Sequence, residues 1–399
     1  MRIVDHKTRF DALARRDFLK ITGLGAVGLT LPQLAFSQGG RTLPFYVGTY
    51  TTGRKSEGIY LYNLDLSSGE LRHVATTSGV VDPSYLTLLP NRRYLYAVNE
   101  VEEFGGKKSG AVSAFTINQR TGGLSLLNQQ PSLGGSPCYV IVDRTGKFVL
   151  VANYSGGNVA VLPVRKDGSL GEATDMKQNS GKSINAERQE GPHAHCIELD
   201  PANRFAYVCD LGTDKIMIFH FDARRGKLTP ARTPWVALKP GAGPRHLIFH
   251  PTGKYAYVIN ELYATVTVFA RNSANGMLKE IETVATLPKD YTDSNNTSAD
   301  IHLSPDGRFL YSSNRGHDSI AAFRINRLNG KLSFIAHQST EGQVPRNFAI
   351  DPAGKFLLAA NQKSDNIVAF RIDPKSGQLQ STGQMVEVPS PVCLKFSAS

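Results

Sequence analysis

Cysteine is scarce in this chain: four in 399 residues, with no CxxC and no CxxCH. That excludes a thioredoxin-like site and a covalently attached c-type haem. Nor is there a GxSxG, a GxGxxG or a P-loop, so serine-elbow hydrolysis and nucleotide cradling have no signature. Acidic residues are outnumbered, 34 against 45 Lys and Arg, for a formal charge of +11. Residues 1–37 hold six of those Lys/Arg and three of the Asp/Glu, which leaves about +8 for the rest. The basic residues are scattered through turns rather than gathered in a run. This argues against nucleic-acid binding and leaves a mild attraction for an anionic small molecule.

Residues 1–37 read as a leader. Arg15-Arg16-Asp17-Phe18-Leu19-Lys20 precedes an apolar stretch, Ile21 to Leu31, that is shorter than the ~20 residues of a membrane span and contains three glycines. Twin arginines before such a stretch are the pattern of a twin-arginine export signal, with cleavage expected after Ala35-Phe36-Ser37. The expectation is a protein handed folded to the twin-arginine machinery, periplasmic or secreted, with no integral anchor once the leader is removed. An oxidising compartment permits disulfides. Yet Cys138, Cys196, Cys209 and Cys393 all fall in apolar strand positions and read as small core residues. Strict alternation would point Cys196 and Cys209 to opposite faces of neighbouring strands.

What the chain does have is one sentence written six times. It begins at Asp82, Ser136, Gly191, Gly243, Thr297 and Val344. Each copy is an apolar alternating run, a tight turn (PNRR, RTGK, PANR, PTGK, PDGR or PAGK) and a second apolar run. The closing residues are Asn99, Asn153, Asp210, Asn260, Asn314 and Asn361, roughly 50 residues apart, which signals a repeat architecture. Two further alternating runs joined by a Gly-containing turn follow each copy, as in DKIMIFHFDARRGKLTP. One unit is therefore a four-stranded antiparallel meander, and such sheets arranged radially make a β-propeller. Innermost strands fall near Tyr85, Cys138, His195, His246, Ile301, Asn347 and Val392, which counts seven blades. The last run, PSPVCLKF, has no strands after it, and the first, FYVGTYT, has no innermost strand before it. The expected fold is all-β: residues 38–399 as a single seven-bladed propeller closed by its C-terminal strand joining the N-terminal blade.

Strand direction sorts the loops. The tight turns share one face of the disc, and the start of each inner strand shares the other face with the end of the second strand. On that near face the residues stop being generic. They include His193, His195, Arg245, His246 and Arg346 at strand starts, and Glu100, Asn153, Glu261 and Arg315 at strand ends, with His317 just beyond. Two long connections, Asp175 to Pro192 and Pro288 to Ser298, start from the same face and could cover the channel mouth. Glu261 and Glu100 are the carboxylates of this rim, and a raised pKa would suit either to acid–base work. Arg245, Arg315 and Arg346 come from three adjacent units and suit a carboxylate or phosphate. His193 and His195 would project to one side, but two imidazoles make no metal site and no third ligand is evident. No cofactor is implied.

The strings YVGTYT, RQEGPHAHCIELDPANRFAYVCD, GAGPRHLIFHPTGKYAYVINE and SNRGHDSIAAF resemble the lactonase-type seven-bladed propellers, from about residue 44 to 396. That family includes the propeller-type bacterial 6-phosphogluconolactonase and fungal carboxy-cis,cis-muconate cyclase. The resemblance implies lactone hydrolysis, or its reverse, at one end of the central channel. By motif it assigns His193 or His195, Arg245, Glu261 and Arg315 to the active site. Glu261 would take a proton from water, Arg245 and a His would stabilise the oxyanion, and Arg315 and Arg346 would hold an acid group. Glu100, Asn153, His246 and His317 would complete the substrate contacts. The leader departs from a cytosolic sugar-phosphate enzyme and favours an unphosphorylated lactone. A non-catalytic binding propeller and a redox propeller are the readings from other classes.

Overall fold

A computed structural model describes residues 42–397. The leader expected at 1–37 lies outside them. Seven four-stranded antiparallel sheets follow one another along the chain, and no helix occurs among the described residues. The inner strands are Leu86–Leu88, Pro137–Val142, Ala194–Leu199, Pro244–Phe249, Thr297–Leu303, Pro345–Ile350 and Pro391–Phe396. The last of these pairs with Thr42–Thr49, in the register Phe45↔Phe396 and Val47↔Leu394, and so supplies the inner strand of blade 1. Blade 1 is thereby built from both ends of the described chain, which closes the ring.

Neighbouring blades are joined by apolar packing throughout and, at five of the seven junctions, by one recurring hydrogen bond. Alternating apolar residues of neighbouring sheets interleave in continuous buried clusters. Within that packing, Tyr46, Tyr96, Tyr207, Tyr257 and Tyr311 each send a hydroxyl to the carbonyl of the next blade's outer-hairpin glycine, at 2.7–3.0 Å. A buried hydroxyl must find such an acceptor, and each bond contributes about 1 kcal/mol. Glycine is needed at these turns for two reasons. At Gly330, φ is +74°, and an added Cβ would lie 2.6 Å from the Tyr255 ring of the preceding blade.

Two expectations from strict alternation are corrected here. Cys196 and Cys209 are direct register partners, so they share a face; all four cysteines are free and buried. Their register follows from the hairpin turn at residues 200–204, and a bulge between Ala194 and Cys196 shifts only the pairing beyond them, so counting from the strand ends misplaces the pair by one residue. The connection expected from Asp175 also starts later, because Asp175–Gln178 forms the outer strand of blade 3.

Candidate active site at the channel mouth

The same bulge recurs at the start of the inner strands, and it builds the site. Register shifts fall at Pro137/Tyr139, Ala194/Cys196, Pro244/His246 and Pro345/Asn347, skipping Cys138, His195, Arg245 and Arg346. Blade 1 skips Val392 in the same way. A bulge opposes two residues to one, so two successive side chains turn toward the channel instead of one. Arg245 with His246 and Arg346 with Asn347 accordingly line one narrow throat of about 10 Å³, together with Tyr50, Ser84, Tyr85, Glu100, Cys138 and His195.

A second tier comes from the residue that ends each second strand: Tyr50, Glu100, Tyr154, Glu261 and Arg315. Their backbones are pinned. The amides of Glu100, Tyr154, Glu261 and Tyr50 donate to the carbonyls of Asp82, Ser136, Gly243 and Ser390, at 2.7–3.3 Å. Each acceptor precedes a proline and has positive φ: 38°, 49°, 65° and 46° respectively. Such a left-handed residue aims its carbonyl at the neighbouring strand end, and the following proline holds it there. This tier and the bulged residues enclose a wider mouth of about 250 Å³ lined by Glu100, Cys138, Tyr154, Arg188, His195, Glu261, Thr297, Arg315 and Arg346. Glu100, Cys138, His195 and Arg346 are common to throat and mouth.

The two carboxylates differ sharply in their surroundings. Glu261 is ion-paired three times: Arg188 at 2.6 Å on one oxygen, Arg245 at 2.9 Å and Arg315 at 3.0 Å on the other. Burial alone would raise its pKa; the Arg315, Arg245 and Arg188 charges hold it well below the usual range. The raised pKa expected for Glu261 is therefore corrected. Glu100 instead accepts from neutral hydroxyls: Tyr50 at 3.0 and 2.9 Å to its two oxygens, and Ser84. Burial raises its pKa, and the more distant Arg346 offsets this only in part.

The histidines also separate. Burial and Arg245 keep His195 neutral, far below its ordinary pKa, with Nδ1 3.7 Å from the Cys138 sulfur. His246 is pressed down to about 3 by burial and Arg245. It is held at both nitrogens, by Asp300 at 2.8 Å and by an Arg245 N–H at 3.1 Å. His193 stacks on Tyr154 with centroids 4.4 Å apart and reaches Glu190 at 3.0 Å, outside the cavity. Asn153 is bound to the Ser132 carbonyl and Asn158, and His317 to Ser319. These three do not reach the cavity; Asn153 is a fastener between a strand end and an incoming loop. Among the described residues no three His, Cys, Asp or Glu gather as a metal site.

Of the residues expected from sequence, Glu261, Glu100, His195, His246, Arg245, Arg315 and Arg346 are brought together. Tyr50, Ser84, Cys138, Tyr154 and Arg188 were missed. Tyr50 stands in the repeat frame where Glu100 and Glu261 stand. Arg188 belongs to the connection before blade 4, outside the repeat, and no periodic signal marks it.

A channel-mouth cavity of converging guanidiniums, carboxylates and neutral imidazoles on a seven-bladed propeller is a polar pocket of small-molecule size. The profile of the family described as "Lactonase, 7-bladed beta-propeller" matches residues 44–396, and the chain belongs to that family. It is 42% identical over 351 residues to the 6-phosphogluconolactonase of Bacillus subtilis, covering 88% of this chain and 97% of that protein. It is 38% identical over 310 residues to a protein of the same name from Formosa agariphila, covering 77% and 86%. The periplasmic gluconolactonase of Pseudomonas aeruginosa superimposes with a TM-score of 0.83 at 37% identity, covering 90% of this chain and 99% of that one.

Proposed function

We propose that this protein is a lactone hydrolase, a carboxylic-ester hydrolase that opens a small cyclic ester with water at the near mouth of the channel. The observation that carries this reading is the 42% identity to a 6-phosphogluconolactonase along 97% of that protein's length. The cavity supports it chemically. Ester hydrolysis needs donors aimed at the oxygen that gains charge, and a dry site strengthens them. Arg346 gives one N–H to the Tyr50 hydroxyl at 3.1 Å. Among the described residues its other donors have no hydrogen-bond partner, so they are free for substrate. Arg245 and Arg315 are largely committed to Glu261 and serve to shape and charge the wall.

The leader motif and the likeness to a periplasmic gluconolactonase support export and an unphosphorylated aldonolactone as substrate. No described helix is long and apolar enough to cross a membrane. The test is pH-stat hydrolysis by the mature protein of gluconolactone, its 6-phosphate and a muconolactone. Turnover of gluconolactone above the spontaneous rate is expected. Preference for the 6-phosphate would overturn the substrate, turnover of the muconolactone alone would favour the cyclase-type chemistry, and none at all would leave a binding propeller.

A further inference from the structure

The lactonase reading leaves open which group activates water, and the geometry of the throat addresses this. We propose that Glu100 is the general base, and that the water it activates occupies the throat beneath the lactone. The inference rests on the lactonase reading.

Among the described residues Glu100 is the one carboxylate that lines both throat and mouth. A base must touch both the water and the path to the carbonyl; His195 shares this placement, but burial and the Arg245 charge suppress its affinity for a proton, whereas burial raises that of Glu100. The throat, at about 10 Å³, is roughly the volume that one water needs. Its polar walls, Glu100, Ser84, Tyr50, His195 and Arg346, supply the several partners that such a water requires. Glu261 lines the mouth alone, and three guanidiniums occupy its oxygens. A proton placed there would have to displace those pairs. Glu100 meets hydroxyls instead, which donate to its carboxylate without neutralising it. Two carboxylates in one cavity, with environments that drive their affinities for a proton apart, mark separate roles. Glu261 then organises the arginines, and Glu100 handles the proton. Tyr50 is a positioning residue, since it bridges both Glu100 oxygens and receives an Arg346 N–H at 3.1 Å.

The step balances. A water lone pair forms the new C–O bond at the lactone carbonyl carbon while Glu100 takes one water proton. The carbonyl π electrons move onto its oxygen, faced by Arg346 and His195. On collapse the ring C–O bond breaks, and the departing oxygen takes the proton from Glu100. The product is a hydroxy acid, which sheds its own acid proton to solvent, and Glu100 is again a carboxylate.

The test is the pH dependence of kcat and KM for wild type, Glu100→Gln, Glu261→Gln and Tyr50→Phe on whichever lactone the wild type hydrolyses. For wild type, kcat should fall on an acid limb centred above 4.5, the ordinary value for glutamate. Glu100→Gln should lower kcat ~10²–10⁴-fold with little change in KM and abolish that limb. Tyr50→Phe should lower kcat less than Glu100→Gln does and move the limb upward, because a hydroxyl that favours the charged carboxylate is gone. Glu261→Gln should keep the limb. If Glu100→Gln retains kcat within about threefold of wild type, or keeps the limb, the proposal fails and the lactonase reading stands. Should Glu100→Gln not fold, an unmoved limb in Tyr50→Phe overturns the proposal instead. A wild type inert on every lactone overturns both.

Discussion

At the scale of the residue, the cavity shows how burial and charge assign protonation states. His246 is buried, held at both nitrogens and kept neutral, with its pKa at about 3. An unfolded histidine titrates near its ordinary 6.5. Below that value the unfolded chain binds a proton that the folded one refuses, so this residue costs stability as pH falls, until about 3. His246→Gln removes both the favourable contacts and this penalty. Its stability deficit relative to wild type should therefore shrink as pH falls from 6.5 toward 5, by about 0.7 kcal/mol per pH unit at first and approaching ~1.4, read by denaturant unfolding at each pH. A constant deficit would mean that His246 is protonated in the fold.

The residues that sequence made legible are those the repeat frame catches. Arg245, Arg346 and His195 occupy one frame position, and Glu100, Glu261 and Arg315 another. Tyr50 occupies the latter too, but blade 1 takes its inner strand from the other end of the chain, so no repeated string precedes it. Arg188 was hidden because its connection belongs to no repeat. Asn153 was over-read: periodic recurrence marks what every blade needs, and what every blade needs is a fastener.

At the scale of the element, the informative feature is the bulge, which alternation alone does not reveal. It explains why successive residues such as Arg245 and His246 both reach the cavity. The residue ahead of the bulge bears the conformational cost. Val344 precedes Pro345 with φ at 59°, a left-handed setting hostile to a β-branched side chain. The equivalent position in blade 5 is Gly243, at 65°. A left-handed setting costs ~1–2 kcal/mol for an L-residue, and glycine gives back part of that through its freer unfolded chain. Val344→Gly should thus stabilise the protein by ~0.5–1 kcal/mol, with the Gln362 amide still bonded to the residue-344 carbonyl. Equal or lower stability in a denaturant titration would show that the Val344 side chain contributes more by packing than it costs in strain.

At the scale of the whole molecule, blade number, strand count and closure were all legible, because a ring of like sheets repeats its core pattern once per blade. The leader belongs to this scale as well. Export of a finished propeller is proposed from Arg15 and Arg16, and replacing both with lysine should retain the protein in the cytoplasm. Fractionation that still finds it outside would redirect the proposal to a different export route.

The pairing of Thr42–Thr49 with Pro391–Phe396 has a temporal meaning as well. Val392 lines the throat, and the Leu394 amide holds the Asn347 side chain at 2.7 Å, so the site depends on residues 391–396. No nascent chain still short of them possesses the cavity. A complete cavity therefore waits on the emergence of residues 391–396, about 340 residues after the strand they pair with.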